Sequence, residues 1–310
     1  MIFLWIAIGV LDVIIIFYLI LICIVSLRRA PLDLRTKRFP EGHPMQRVQN
    51  AINEAQVFFR THPAELLVIE ANGVELAAKR YPRENPKGRI ILFHGYRSIA
   101  ETDFACAMEA YYNLGYELVL VDQRAGGKSS GNWIGFGVLE RYDCLSWIRY
   151  LNADFGALPT FLSGISMGCT TVLMALGLEL PSNVKGVIAD CGFTSPHEII
   201  RHVMSRKLHM AAGLLMPGMS LFTKLFAGYS YKEYSTLDAL KENKIPVLFI
   251  HGKEDHYVPH EMTVQNYEAC TAEKQLILVE GAGHGTSYLQ DKPTVEKAIG
   301  DFLTKYNTSI

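Results

Sequence analysis

Two things are scarce in this 310-residue chain: net charge, and any cysteine spacing that would hold a metal. Thirty Lys and Arg face 31 Asp and Glu, a formal net charge of −1, so no basic field invites a nucleic acid. The six cysteines (Cys23, Cys106, Cys144, Cys169, Cys191 and Cys270) form no CxxC pair. That excludes the common zinc frameworks and the dithiol redox motif, and leaves buried free thiols, which suit a reducing compartment, as the expectation. No repeat and no low-complexity tract is found. With 49% hydrophobic and 20% charged residues, the chain is expected to fold rather than remain disordered. No nicotinamide, flavin or metal site is visible, so no cofactor is expected.

Charge is also missing from residues 2–27, where Asp12 is the one ionisable side chain with a formal charge. At about 1.5 Å per residue, such a helix is long enough to cross a hydrocarbon core of about 30 Å. Asp12 would cost about 2–3 kcal/mol near the membrane centre, which the surrounding Ile, Leu, Val and Phe offset. No Lys or Arg precedes the run and no small-x-small pattern follows it, so an anchor is expected rather than a cleaved signal peptide. Arg28, Arg29, Arg35, Lys37 and Arg38 crowd the following flank, which predicts a single-pass cell-membrane protein with the rest of the chain on the cytoplasmic side. The expected organisation is an anchor over 1–28, a basic linker and amphipathic helix over 29–64, and one α/β domain over 65–310.

Within that domain, 66–69 and 74–81 alternate like strands about an Asn72-Gly73 turn. Apolar strands are then expected at 89–93, 117–121, 160–162, 184–189, 247–250 and 275–279. Helices are expected at 100–114, 137–155, 167–180 and 294–305. Strands that are apolar throughout and spaced by helices imply a mostly parallel central sheet covered on both faces. About 55 residues after position 190 lack a strand, too many for an ordinary connection. They read as a small helical cap over about 192–240, with a helix at 195–207 and a Leu-, Met- and Phe-rich stretch at 211–227 that Pro217 and Gly218 interrupt.

Gly164-Ile165-Ser166-Met167-Gly168 follows a strand and opens a helix. This is the setting of a nucleophile elbow, in which flanking glycines let backbones pass closely and a tight turn lifts the serine Oγ above the sheet. G-x-S-x-G alone is weak; its context strengthens it. His251-Gly252-Lys253-Glu254-Asp255 and Gly283-His284-Gly285 each follow a predicted strand, so serine, carboxylate and imidazole all fall on strand-end loops in the order Ser, Asp, His.

These pieces, together with Phe93-His94-Gly95-Tyr96 and Asp122-Gln123-Arg124-Ala125-Gly126-Gly127-Lys128-Ser129, resemble the α/β-hydrolase superfamily over about 65–305. Within it, the chain is similar to serine aminopeptidase-like and esterase-like bacterial hydrolases. The resemblance implies an α/β-hydrolase fold and a triad of nucleophile Ser166, base His284 and orienting acid Asp255. It implies an oxyanion hole from the backbone N–H groups of Met167 and Tyr96. The expected reaction is hydrolysis of a small carboxylic ester through an acyl-enzyme, the substrate apolar on one side.

Blander roles are expected for other eye-catching residues. His251 and His94 are expected to brace local backbone, and Asp122 with Arg124 to form a structural knot. Gly126-Gly127-Lys128-Ser129 lacks the earlier glycine of a phosphate-binding loop, where Asp122 stands. Arg97, Ser98 and Asp103 either meet substrate or, for Arg97 and Asp103, pair with each other to fix the loop. Met204, Met210, Leu214, Leu215, Met216, Met219 and Phe222 are expected to pack the cap, with contact to the cleft or bilayer left open. A peptidase or amidase on the same triad would need an acidic cap residue, Glu198 or Glu233, to hold the substrate amine. An acyltransferase that excludes water would use the same triad, and an idle, membrane-tethered binding scaffold would keep the fold without the chemistry. Nothing in the sequence names substrate-binding residues.

Overall fold

The structure, a computed structural model, describes residues 1–29, 46–208 and 212–307. Arg35, Lys37, Arg38, Met210 and much of the expected linker lie outside the described residues. Eight strands form one sheet: β1 Glu65–Ala71, β2 Val74–Tyr81, β3 Gly88–Phe93, β4 Tyr116–Asp122, β5 Thr160–Ile165, β6 Val184–Asp190, β7 Val247–Gly252 and β8 Lys274–Val279. Their spatial order is β1-β2-β4-β3-β5-β6-β7-β8. β2 pairs antiparallel with both β1 and β4, and every other pairing is parallel.

Alternation along the central strands divides the core. Ile90, Leu92, Leu118 and Leu120 point to one face, and Ile91, Phe93, Val119 and Val121 to the other. The helices in chain order are α1 Ile2–Ser26, α2 Gln46–Thr61, α3 Ala100–Asp103, α4 Met108–Asn113, α5 Glu140–Phe155, α6 Met167–Ala175, α7 Pro196–Leu208, α8 Ala212–Ala227, α9 Thr236–Leu240, α10 His260–Ala269, α11 Ser287–Gln290 and α12 Lys292–Tyr306. Phe58 of α2, Met108 of α4 and Ile299 of α12 cover the first face. Trp147 of α5, Val172 of α6 and Leu240 of α9 cover the second.

Three predicted elements change, the least of them the helix expected over 167–180, which ends at Ala175. The helix expected over 100–114 divides into α3 and α4, with a turn at Phe104 where Asp103 reaches back to the Gly95 N–H and the Ser98 hydroxyl. The expected break at Pro217 and Gly218 does not occur, because α8 runs through both. Gly218 lies so close to Tyr18 that a Cβ there would sit 2.2 Å from its ring. Packing of α1 against α8 at this glycine favours the helix that the proline's local preference opposes.

α1 is the one described helix long and apolar enough to cross a membrane. Ile2–Phe17 are almost wholly exposed, whereas the last two turns dock. Tyr18 stacks on Phe222 with ring centroids 5.2 Å apart. Ile22 is buried among Ile134, Phe136, Met216 and Met219. The Ser26 hydroxyl lies 2.6 Å from that of Tyr231, and the Ile134 N–H donates to the Ser26 carbonyl at 2.7 Å.

Candidate active site

Parallel strands align their C-terminal ends along one edge, and the site is assembled there. β5 ends at Ile165 and α6 starts at Met167, so Ser166 alone makes the turn. Its φ of 55° and ψ of −115° lie in a region that L residues seldom occupy. The flanking glycines are required by contact: a Cβ on Gly168 would stand 1.9 Å from the Phe93 carbonyl oxygen, and one on Gly164 would stand 2.3 Å from Gly168 backbone. Neither neighbour can move aside, because both are main chain.

The loops after β7 and β8 bring the other two groups to the serine. His284 Nε2 lies 3.0 Å from Ser166 Oγ, and His284 Nδ1 lies 2.6 Å from Asp255 Oδ2. With Nδ1–H donating to the carboxylate, Nε2 is left as an acceptor for the serine hydroxyl. Ser166 is buried, while the His284 side chain keeps 28% of its exposure, so the relay has one end open to incoming molecules.

Asp255 has a further partner that the sequence did not reveal. His251 Nε2 faces both Asp255 Oδ2 and the Val258 carbonyl at 3.0 Å, while its Nδ1 lies 2.6 Å from the Thr263 hydroxyl. Two acceptors on one side fix the proton on Nε2, so His251 donates to the same oxygen that receives His284. The other carboxylate oxygen accepts the N–H groups of Tyr257 and Val258. Burial alone would raise the Asp255 pKa, but hydrogen bonds from His251 and His284 outweigh it and hold the carboxyl well below the usual range. The expected bracing role of His251 thus extends to this carboxylate as well as to backbone. Adjacent Asp190 behaves oppositely: burial pushes its pKa up to about 6.

The loop after β3 completes the edge. A Cβ on Gly95 would lie 3.3 Å from Ser166 Cβ, so the Gly95-Tyr96 backbone abuts the serine. His94 Nε2 accepts the Gln123 N–H at 3.0 Å, and its Nδ1 lies 2.8 Å from the Gly95 carbonyl. Asp103 accepts from the Gly95 N–H and the Ser98 hydroxyl. Arg97 is not its partner, because the guanidinium instead donates to the carbonyls of Ile24 and Leu27 at the end of α1. Asp122 and Arg124 likewise do not pair with each other. Asp122 accepts the Lys128 N–H, and Arg124 forms a two-pronged ion pair with Asp143. Tyr96 Oη donates to the Val25 carbonyl at 2.6 Å, and burial pushes this phenol up to about 12.

A cavity of about 250 Å³ opens over Ser166 and His284, with Tyr96, Ile165, Tyr257 and Leu289 in its wall. Tyr257, which no sequence pattern flagged, packs 5.1 Å from the His284 ring. None of the predicted cap residues among Met204, Leu214, Leu215, Met216, Met219 and Phe222 lines this cavity. Met204, Met216 and Met219 are buried in a cluster with Ile22 and Met167, Leu215 and Phe222 pack on it, and Leu214 faces outward. Glu198 pairs with His197 and Arg201, and Glu233 with Lys224. Cys191, Asp255 and His284 offer a sulfur, an oxygen and a nitrogen within 4.8 Å of one another. Burial keeps that thiol protonated, and the carboxylate and imidazole are already bound to each other, so these groups suit a proton relay better than a metal.

Similarity to known proteins adds to this geometry. The serine aminopeptidase S33 family matches residues 84–242, just over half of the chain. The chain belongs to the α/β-hydrolase superfamily, within that family. A TAP-like protein family matches 227–309, the part that carries Asp255 and His284. The chain is 26% identical to the uncharacterized protein YqkD of Bacillus subtilis over 88% of this chain and 90% of that one. It is 23% identical to the putative esterase YheT of Escherichia coli, covering 81% and 87%. Among solved structures, a Pyrococcus furiosus esterase superposes with a TM-score of 0.67 at 18% identity, over 91% of this chain and 99% of that one. Est1E of Butyrivibrio proteoclasticus, solved with ferulic acid bound, gives 0.57 at 18% identity, over 77% and 98%. These S33-family and esterase neighbours carry the fold and a hydrolase character.

Proposed function

We propose that this protein is a serine hydrolase that cleaves a carboxylic ester through an acyl-enzyme. The carrying observation is the unbroken relay from Ser166 Oγ through His284 to Asp255, at 3.0 and 2.6 Å. In the first step Ser166 Oγ attacks the ester carbonyl carbon while His284 Nε2 takes its proton. The negative charge that forms on the carbonyl oxygen is received by the N–H of Met167, the first residue of α6, and that of Tyr96. Each such donor contributes about 3–4 kcal/mol where one has been removed. Collapse breaks the carbon–oxygen bond to the alcohol, which leaves with the proton from His284. A water, deprotonated by His284, then attacks the acyl carbon, releases the acid and returns Ser166 to its starting form. Asp255 stays ionised throughout and balances the imidazolium.

Ester cleavage is favoured over peptide cleavage by the fate of the cap acids. An aminopeptidase needs a carboxylate for the substrate's ammonium, and Glu198 and Glu233 are engaged by cations away from the cavity. The esterase names among the relatives, and ferulic acid in one neighbour, point the same way. The half-apolar wall of Ile165, Leu289 and Tyr257 suits a substrate with an apolar side. We further propose that α1 tethers the enzyme to the cell membrane, with the catalytic part on the cytoplasmic side that Arg28 and Arg29 favour.

A fluorophosphonate probe tests the nucleophile: wild type should label and Ser166→Ala should not. p-Nitrophenyl esters of graded chain length, set against aminoacyl anilides, test the bond. Turnover of anilides alone would replace the esterase with a peptidase. Absence of both labelling and turnover would leave a tethered binding scaffold.

A further inference from the structure

The apolar surface of α1 does not stop where the helix meets the rest of the protein. α8 carries Leu214, Leu221, Leu225 and Phe226 at 79%, 57%, 68% and 51% exposure. The spacings of seven and four residues put the leucines on one helical stripe. The opposite side of α8, with Met216, Met219 and Thr223, is buried, and between the two lies the contact with Tyr18 of α1 through Gly218 and Phe222. The only formal charge on the helix is Lys224, which reaches away to Glu233. Three exposed leucines on one stripe, with Phe226 beside them on the flank where it stacks on Phe222, are more than a soluble surface ordinarily carries in one place.

Length decides what covers them. The free part of α1, Ile2–Phe17, is sixteen residues and so about 24 Å long, short of a hydrocarbon core of about 30 Å. The remaining few ångströms must come from the stretch beginning at Tyr18, which is the stretch packed on α8. α8 itself, sixteen residues long, is too short to cross. It therefore sits at the boundary, at the depth of about 5–10 Å at which amphipathic interfacial helices lie.

We propose that α8 is a second membrane contact, with Leu214, Leu221, Leu225 and Phe226 immersed in the acyl boundary of the bilayer that α1 spans. The occupant of this face is lipid rather than a protein partner. The inference rests on the tether reading for α1. It makes the β6–β7 insert a floor resting on the membrane, so the cavity over Ser166 stays close to the lipid headgroups, and an ester dissolved in the bilayer is the substrate class best served.

The full chain, reconstituted in phosphatidylcholine vesicles with acyl chains either plain or brominated, tests this by tryptophan quenching. The signal of the indole added by Leu221→Trp is obtained by difference from wild type. Lys232→Trp, on the exposed turn beyond α8, is the aqueous control. Trp5 of α1, read by difference from Trp5→Phe, reports the tether separately. Fluorophosphonate labelling verifies that each variant is folded. The expected result is about twofold or greater quenching of the added indole at 221 by bromine, strong quenching of Trp5, and little at 232. Quenched Trp5 with an unquenched indole at 221 would overturn the proposal and leave the tether standing. A blue-shifted but unquenched indole at 221 would overturn it in favour of a second copy or another protein. Unquenched Trp5 would remove the tether, and the α8 proposal with it.

Discussion

At the strand ends, three loops deliver a hydroxyl, an imidazole and a carboxylate, and each loop has a local sequence signature beside its strand. At the seam between α1 and the β6–β7 insert, the joining residues are scattered and plain: Ser26 meets Tyr231 across 205 positions, and Tyr18 meets Phe222 and Gly218. The first region is held by charge-assisted hydrogen bonds among few groups, the second by shape and by carbonyls at a helix end. Chemistry constrains residue type at one residue resolution and so leaves a pattern. Packing constrains volume, which many residues can satisfy. The two regions are nevertheless joined, because Tyr96 and Arg97 belong to the loop beside Ser166 and also bind the last carbonyls of α1.

The largest expected effect isolates the first region. Ser166→Ala should lower the rate on a good ester by about 10⁴-fold or more, and Ser166→Ala combined with His284→Ala should be hardly worse than either alone, because the residues act as one unit. Additive losses would mean that the hydrogen-bonded line does not work as a relay. The seam should be untouched: α8 quenching and thermal midpoint should match wild type.

Asp190 separates stability from chemistry at the same edge. Burial is the main cause that lifts its carboxyl from 3.8 to about 6, so the folded chain keeps a proton that the unfolded chain releases. Its contribution is fully present below about pH 3.8 and is lost as pH rises to about 6, a change of about 3 kcal/mol. Asp255, with its pKa depressed, acts in the other sense and loses its contribution as pH falls below the ordinary carboxylate range. Asp190→Asn should therefore raise stability near neutral pH by about 2–3 kcal/mol and leave it unchanged near pH 4. Denaturant midpoints measured across pH check this; parallel curves for variant and wild type would refute it.

The seam alone is probed by Gly218→Ala. The new methyl would stand 2.2 Å from the Tyr18 ring, so α1 or α8 must shift, at about 1–2 kcal/mol. Tyr18→Ala in the same chain should relieve most of that loss, an interaction that a double-mutant cycle measures. Simple additivity would mean that the ring swings aside and the seam is looser than its contacts imply.

How far each region could be read beforehand follows the same division. That Ser166, Asp255 and His284 fall on neighbouring strand-end loops was legible because G-x-S-x-G, HGxxD and GHG follow apolar strands, and two alternating and six wholly apolar runs located all eight strands to within a few residues. His251 was legible as a bracing residue, but its bond to Asp255 was not, since one imidazole at a strand end has many local acceptors to choose from. Arg97 and Asp103 suggested a mutual pair, whereas the structure gives Asp103 to the Gly95 amide and Arg97 to α1, some 70 residues away. Pro217 signalled a break that α8 does not make, because the packing of Gly218 on Tyr18 is invisible to local propensity.

The smallest expected effect is the one that decides whether the two regions communicate. Burial holds the Tyr96 phenol up to about 12, so at neutral pH it is a donor, and the Val25 carbonyl is its acceptor at 2.6 Å. Tyr96→Phe keeps the ring on Phe136 and removes that single bond, worth about 1 kcal/mol. If the loop beside Ser166 carries an oxyanion donor, looser positioning should appear in kcat on a water-soluble ester, about fivefold down, with KM little changed. The assay should use the membrane-reconstituted chain, where α1 is held and its carbonyls are in register. A lower thermal midpoint with an unchanged kcat would mean that α1 steadies the loop without reaching the chemistry. A kcat loss confined to chains carrying an intact α1 would mean that the end of α1 helps position the loop that receives the oxyanion.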